Sequence, residues 1–316
     1  MRVLVTGADG FVGQRLVQRL VDSGHEVTAA CRPTEGLRSW IDQRWGGAVR
    51  LVPFELTDAA GIRTALADPQ EAVVHLAAVA SVREARDDPG RAWVINAAGT
   101  ARLLDALVAV RDLAGHDPVV VIVSSAEVYG AGPASPRLET DVPRPQSPYA
   151  ASKAGSEIAA LEAWRRANLR VIVARPFTHT GPGQRPPYVV PAFIERLLAA
   201  KRGGPKRVPT GNLEPVRDLL DVRDVVEAYI ALLGRGTPGE TYNIARGEGI
   251  TLAELFQRIA RLLGVAVEPY PDPSLVRSGD IPYLVGDPSK LRSATGWSPT
   301  ITLERTLRDM VDAETN

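Results

Sequence analysis

Six short apolar runs, each separated from the next by a longer stretch, constrain this chain more than any other feature. "RVLVTG", "EVTAACR", "VRLVPFEL", "EAVVHLAA", "PVVVIVSS" and "RVIVARP" are rich in β-branched residues, and their apolar positions are largely continuous rather than alternating. Continuous runs argue for strands buried on both faces, as in a parallel sheet covered by helices. The intervening stretches carry helical spacing: "FVGQRLVQRLVDSG" lines up Val12, Leu16, Val17, Leu20 and Val21. The pattern predicts an α/β protein, a doubly wound parallel sheet of the Rossmann type, over residues 1–175. After residue 175 glycine and proline become dense, as in "THTGPGQRPPYVVP". Residues 176–316 are expected to form mainly a smaller, mixed C-terminal domain, with about 218–245 returning to the first.

Charge removes some function classes. The 37 basic and 37 acidic residues cancel, so no bulk field favours nucleic acid or an anionic membrane. The single cysteine, Cys31, excludes an intrachain disulfide and favours a reducing, cytoplasmic setting. The opening apolar run is too short for a signal peptide, and Val119 to Val123 has the length of a buried strand, not of a membrane span. No metal-ligand pattern stands out, so a small-molecule partner without a metal is expected.

Between the first strand and first helix, "TGADGFVG" spaces Gly7, Gly10 and Gly13 as G-x-x-G-x-x-G, with Phe11 and Val12 opening the helix. Glycines there permit a tight turn and close backbone approach, and the helix N-terminus offers N–H groups to a pyrophosphate. The plain alternative is a glycine-rich β-α turn. The second strand ends without the Asp or Glu that holds a ribose 2′-hydroxyl; Arg32 stands there instead. An arginine suits a 2′-phosphate, which favours NADP(H) and leaves NAD(H) open. Glu55 and Leu56 are placed to flank the adenine. Leu76, Ala77 and Ala78, with Asn96 on the next long helix, complete the expected cofactor edge.

In "SPYAASKAG", Tyr149 and Lys153 stand four apart, hence on one helical face. With seven Tyr and four Lys in 316 residues, chance gives such a spacing about 7 × 4/316 ≈ 0.09 times, so the pair needs context. Ser125, in "VSSAEVYG", ends the fifth strand at the edge where doubly wound sheets bind ligands. A ketone accepting hydride develops oxyanion character, and a phenol that donates its proton meets that need. A neighbouring lysine and a cationic nicotinamide are expected to pull the phenol's pKa down. The bland reading is a buried tyrosine, a snorkelling lysine and a serine in a turn.

Together "TGADGFVG", "HLAA", "SSAEVYG" and "YAASK" resemble the extended short-chain dehydrogenase/reductases that act on nucleotide-sugars. "RPFTHTGPGQ", "GNLEPVRDLLDVRDVVEAY", "GETYNIARGEG" and "LVGDPSKLRSATGWSP" look most like the GDP-4-keto-6-deoxy-D-mannose reductases, which make GDP-D-rhamnose. The resemblance implies Ser125, Tyr149 and Lys153 as catalytic triad, with Tyr149, Lys153 and Pro176 also against the cofactor. It implies Ser125, Glu127, Thr178, His179, Arg185, Val190, Asn212, Arg217 and Arg277 as substrate contacts, Arg217 holding the diphosphate of a GDP-linked sugar. Thr178 stands where an Asn is common. In the related 4,6-dehydratases a Glu at the position of Glu127 is the base that removes the C5 proton, so dehydration or epimerisation with retained cofactor stays open. A catalytically silent NADP(H) sensor is a remote third reading. The resemblance also implies a homodimer or higher oligomer paired through two long helices, for which Ile158, Leu161 and Trp164 are suited, as they are for an intrachain core.

Overall fold

The computed structural model describes residues 1–32, 37–276 and 279–315. Strands β1 (Arg2–Thr6), β2 (Glu26–Cys31), β3 (Val49–Pro53), β4 (Ala72–His75), β5 (Val119–Val123) and β6 (Val171–Pro176) belong to one sheet. Three further strands follow, β7 (Thr178–Thr180), β8 (Arg207–Thr210) and β9 (Val216–Asp221), before β10 (Thr241–Ile244) rejoins that sheet beside β6. Its order is β10-β6-β5-β4-β1-β2-β3, and every neighbouring pair is parallel.

The continuous apolar runs explain themselves in the packing. Along β5, Val121 and Val123 enter one core while Val120 and Ile122 enter the other. Two helix layers cover the two faces. α1 (Phe11–Asp22) packs on one side. On the other lie α2 (Ala59–Ala65), α3 (Thr100–Ala114) and α4 (Pro148–Ala167). After β9, α5 (Val222–Arg235) returns to pack beside α1, so the returning segment starts at Val222, while residues 218–221 stay in the second sheet. The helical run Pro89–Ala114 is long and apolar enough, by length and composition, to cross a membrane. Leu103, Leu104 and Leu107 of that run are buried against the sheet, which is how a core helix behaves.

Much of the rest of the chain builds a separate core, while Ile281, Leu284, Leu291 and Trp297 join the core of the large sheet. β9 pairs with β7, with β11 (Gly249–Thr251) and, past β12 (Glu268–Pro271), with β13 (Tyr283–Leu284). The helix Val189–Lys201 buries Val190, Phe193, Ile194 and Leu197 against Phe256 and Ile259. The cleft between this body and the carboxyl edge of the large sheet holds the candidate site.

Candidate active site

The glycine loop is tied to the strand that selects the nucleotide. Gly7 N–H donates to the Ala30 carbonyl at 2.8 Å, and Gly7 has φ +68°, a left-handed conformation that glycine adopts freely. A Cβ on Gly13 would stand 2.2 Å from the Gly7 carbonyl oxygen, so helix and turn touch backbone to backbone. Gly10 caps α1, and by helix geometry the N–H groups of Phe11, Val12 and Gly13 have no intrahelical acceptor. Arg32 is exposed at the end of β2. Leu76, Ala77 and Ala78 lie half-buried after β4, close enough that a Cβ on Gly7 would meet Ala77 nitrogen at 2.9 Å. Leu56 is buried against Gly99, with Glu55 half-buried beside it. A cradle closed to any side chain, small residues along the edge and an exposed arginine at its end together fit a dinucleotide with a 2′-phosphate.

"SPYAASKAG" folds as its residues dictate. Ser147 Oγ accepts from Ala150 N–H at 3.1 Å as N-cap, and Pro148 takes the first helical position. Tyr149 therefore sits in the first turn of α4, half-buried at the cleft, and Lys153 lies one turn deeper, 5 % exposed. Ser125 caps the short 3-10 turn Ala126–Tyr129 and hydrogen-bonds the Tyr149 phenol. Within the protein alone, the phenol's pKa is raised. Burial raises it first and the Glu127 carboxylate raises it further, against a lowering by the Ser125 hydrogen bond. Desolvation of the anion outweighs any ammonium attraction here, so the phenol stays protonated at neutral pH, the state a proton donor needs. Burial instead lowers Lys153 to about 8, partly offset by Glu157.

Asn96 is a correction. It lies in a π-helical stretch, Trp93–Gly99, whose extra residue per turn displaces the helix locally. Its Oδ1 accepts from Val79 N–H at 2.8 Å, and its Nδ2 donates to the Val79 carbonyl and to Ser152 Oγ. Both amide donors are spent inside the protein, and Ser152 Oγ in turn donates to the Tyr149 carbonyl at 2.8 Å. Asn96 thus steadies the turn that carries Tyr149 rather than reaching a cofactor. His75, unremarked in the sequence, does similar work. Thr100 Oγ1 donates to the Asn96 carbonyl, so His75 Nε2 must donate to Thr100, leaving Nδ1 to accept from Thr6. Burial, with the Lys153 charge, holds this imidazole down at about 3, hence neutral.

A solvent-open cavity of about 540 Å³, open solvent included, lies at the start of α4, where Ser147 and Ala150 line it together with Glu127, Thr178 and Arg217. Arg217 Nη1 donates to the carbonyls of Val216 (2.9 Å) and Ile281 (2.7 Å), and Nη2 stands 3.9 Å from Asp280. Those contacts extend the guanidinium along the cavity wall. Arg86 and Gln146 line the same cavity and were not legible as site residues, because each lies on a segment without a motif. His179 Nδ1 donates to the Phe177 carbonyl at 2.9 Å, and burial lowers its pKa. Val190 is a second correction: it is 1 % exposed in the core of the second body, where the helical stripe of its own helix carries it. Asn212 is exposed, its Oδ1 spent on Glu214 N–H at 3.0 Å. Arg185 is exposed on the loop after β7, Pro176 is buried at the end of β6, and Arg277 lies outside the described residues. Leu161 and Trp164 pack in the intrachain core, Trp164 across Gly239, and only Ile158 of that trio is exposed.

A family model for GDP-mannose 4,6 dehydratase matches residues 4–310. The chain belongs to this family. It is thereby an extended short-chain dehydrogenase/reductase, as its parallel sheet and Tyr149/Lys153 helix require. The GDP-6-deoxy-D-mannose reductase of Pseudomonas aeruginosa is 35 % identical over 97 % of this chain and 95 % of its own length. The solved structure of RMD from Pseudomonas aeruginosa complexed with NADPH superposes with a TM-score of 0.83 at 32 % identity, covering 99 % of this chain and 98 % of that one. The UDP-glucose 4-epimerase of Thermus thermophilus in complex with NAD reaches 0.86 at 33 % identity, covering 99 % and 98 %. The chain thus shares one fold with both the NADPH-bound RMD and the NAD-bound epimerase.

Proposed function

We propose that this protein reduces the C4 keto group of a nucleotide-linked 4-keto-6-deoxy sugar with NADPH, turning GDP-4-keto-6-deoxy-D-mannose into GDP-D-rhamnose. The observation that carries this reading is the Tyr149 phenol, hydrogen-bonded to Ser125, on the helical turn whose Ser147 and Ala150 line a cavity together with Thr178 and Arg217. The dinucleotide, when bound, supplies the hydride. The protein's own groups do the rest. Gly7, Gly10 and Gly13 admit the pyrophosphate, and Arg32 selects the 2′-phosphate. Ser125 orients the sugar ketone, Tyr149 gives its proton to the developing C4 alkoxide, and the Lys153 ammonium favours the phenolate left behind. Arg217 pairs with the diphosphate through its planar fork. Residues 1–175, with the return over about 222–245, act as the cofactor domain and the remainder of 176–316 holds the nucleotide.

The similarity to a GDP-6-deoxy-D-mannose reductase supports reduction, and the NADPH complex of a relative supports the cofactor. Loss of NADPH absorbance on adding the ketosugar tests both; purified protein that leaves NADPH intact at high enzyme concentration overturns the reading. Glu127 favours a second reading. It lines the cavity and acts on the Tyr149 phenol, as a C5 base in an epimerase or dehydratase would. That reading requires turnover of the plain sugar nucleotide with no net NADPH consumption. We also assign a homodimer through the helices carrying Trp93, Val94 and Ile158, which are 46 %, 45 % and 70 % exposed.

A further inference from the structure

Arg217 and Asp218 are neighbours on β9, and successive strand residues point to opposite faces. Arg217 lines the cavity, whereas Asp218 is 0 % exposed on the far side of the strand. Its carboxylate is met from two directions. Oδ1 accepts from Arg246 N–H at 2.9 Å and Oδ2 from Gly247 N–H at 2.9 Å, both in the turn between β10 and β11. The same Oδ2 accepts from Gly286 N–H at 3.3 Å, just past β13. No catalytic step draws on this group.

The donors belong to the two segments that flank β9. β11 pairs with one edge, setting Ile250 beside Arg217, and β13 with the other, setting Leu284 beside Arg217. The segment that carries β13 is also cavity wall, because Asp280, Ile281 and Leu284 line the cavity with Arg217. Its Ile281 carbonyl accepts from Arg217 Nη1 at 2.7 Å, and its Pro282 carbonyl from Val216 N–H at 2.8 Å. The direction of the guanidinium therefore depends on where this segment lies. β13 itself has two residues, too short a ladder to fix it alone. Asp218 holds its far end. A Cβ at Gly286 would stand 2.4 Å from Phe177 and 2.6 Å from Ala245, so that end is wedged against the residues that follow β6 and β10.

A carboxylate suits this post and an amide does not. Its two oxygens accept and carry no hydrogen, so all three N–H groups are met. Asparagine has one acceptor oxygen, and its NH2 would face the N–H of Arg246 or those of the two glycines. Inside a buried site that mismatch pushes the segments apart.

We propose that Asp218 is a positioning residue for the substrate's diphosphate: by holding the 246–247 turn and the strand end at Gly286 on β9, it keeps the 280–284 wall where Arg217 meets the anion. The inference rests on the reading of Arg217 as the diphosphate contact, and not on the base, the sugar or the direction of the reaction. Inorganic pyrophosphate is therefore the probe, titrated calorimetrically into protein saturated with NADP+ so that the cofactor's own phosphate cradle is filled.

Asp218→Asn is expected to weaken pyrophosphate binding about tenfold while NADP+ binding stays within twofold. In ketosugar assays KM is expected to rise by the same factor at nearly constant kcat. General loss of structure would instead weaken both ligands together, and that result, or an unchanged pyrophosphate affinity in the folded variant, overturns the proposal. A measurement on the wild type covers a variant that does not fold. Coupling is reciprocal, so saturating pyrophosphate is expected to slow amide exchange at Arg246, Gly247 and Gly286 several-fold and to leave β2 amides unchanged. No added protection at those three amides overturns the proposal as well. Wild-type protein that binds no pyrophosphate, or binds it equally after Arg217→Ala, overturns the reading of Arg217 and this assignment with it. Weakening by Arg217→Ala but not by Asp218→Asn overturns the assignment of Asp218 alone.

Discussion

Arg175 and Arg217 both lie in the second half of the sequence, yet they serve opposite regions. Arg175 forms the floor: it is buried, paired at two points with Glu157, and part of a network whose groups satisfy one another. Arg217 forms a wall: its Nη2 stands 3.9 Å from Asp280, it hydrogen-bonds two carbonyls, and it borders an open cavity. A buried, fully paired cation is fixed in place, so it is suited to hold catalytic groups. A cation along a cavity wall borders the space that a ligand anion would enter. The difference predicts that changes near the floor act on turnover and changes on the wall act on affinity.

The sharpest test is Tyr149→Phe, which keeps the ring and removes the proton donor. It is expected to lower kcat by about a thousandfold with KM nearly unchanged, since general acids contribute on the order of 10²–10⁴. Arg217→Ala is expected to raise KM for the nucleotide-sugar by about tenfold to a hundredfold, the scale of a charge-assisted pair. If steady-state kinetics instead show its kcat falling at constant KM, the division between floor and wall breaks. Val190→Ala probes the second body, where burial assigns a packing role. It is expected to destabilise the fold by about 2 kcal/mol in denaturant titration, with KM unaltered.

The pH dependence has two signs. The folded pKa of Lys153, about 8, lies below its ordinary value of 10.5, so between those limits the unfolded chain binds the extra proton. Stability is therefore expected to rise as pH increases through that window, while activity that needs the ammonium falls, about tenfold per pH unit above 8. Parallel melting and rate profiles check this; both falling together above pH 8 would break it. The smallest expected effect is Arg32→Ala, which should weaken NADPH binding several-fold and leave NADH binding alone, as fluorescence titration would show.

The frame of the molecule was legible because it is local. Strand runs, the glycine turn, and the Ser147–Pro148 start of α4 depend on neighbours a few residues apart, and each carries its own steric or hydrogen-bonding reason. The placement of Tyr149 one turn before Lys153, and of Ser125 at a strand end, was legible for the same reason. Asn96 and Val190 were misread because type and motif position say nothing of what a side chain meets. A π turn delivers Asn96 to Val79 and Ser152, and a helical stripe delivers Val190 to the core. Arg86 is found only because folding brings it to the cavity that Arg217 also lines.

The sequence by itself determined the parallel sheet, the phosphate-binding turn and the spacing of the catalytic pair, since periods of 2 and 3.6 and helix caps are written in adjacent residues. Tertiary structure alone decided protonation and pairing. Tyr129 reaches Asn243 across 114 positions, and Arg217 reaches Ile281 across 64. Desolvation, which raises the Tyr149 pKa and lowers that of Lys153, depends on everything packed around a group, and no stretch of chain contains its own surroundings.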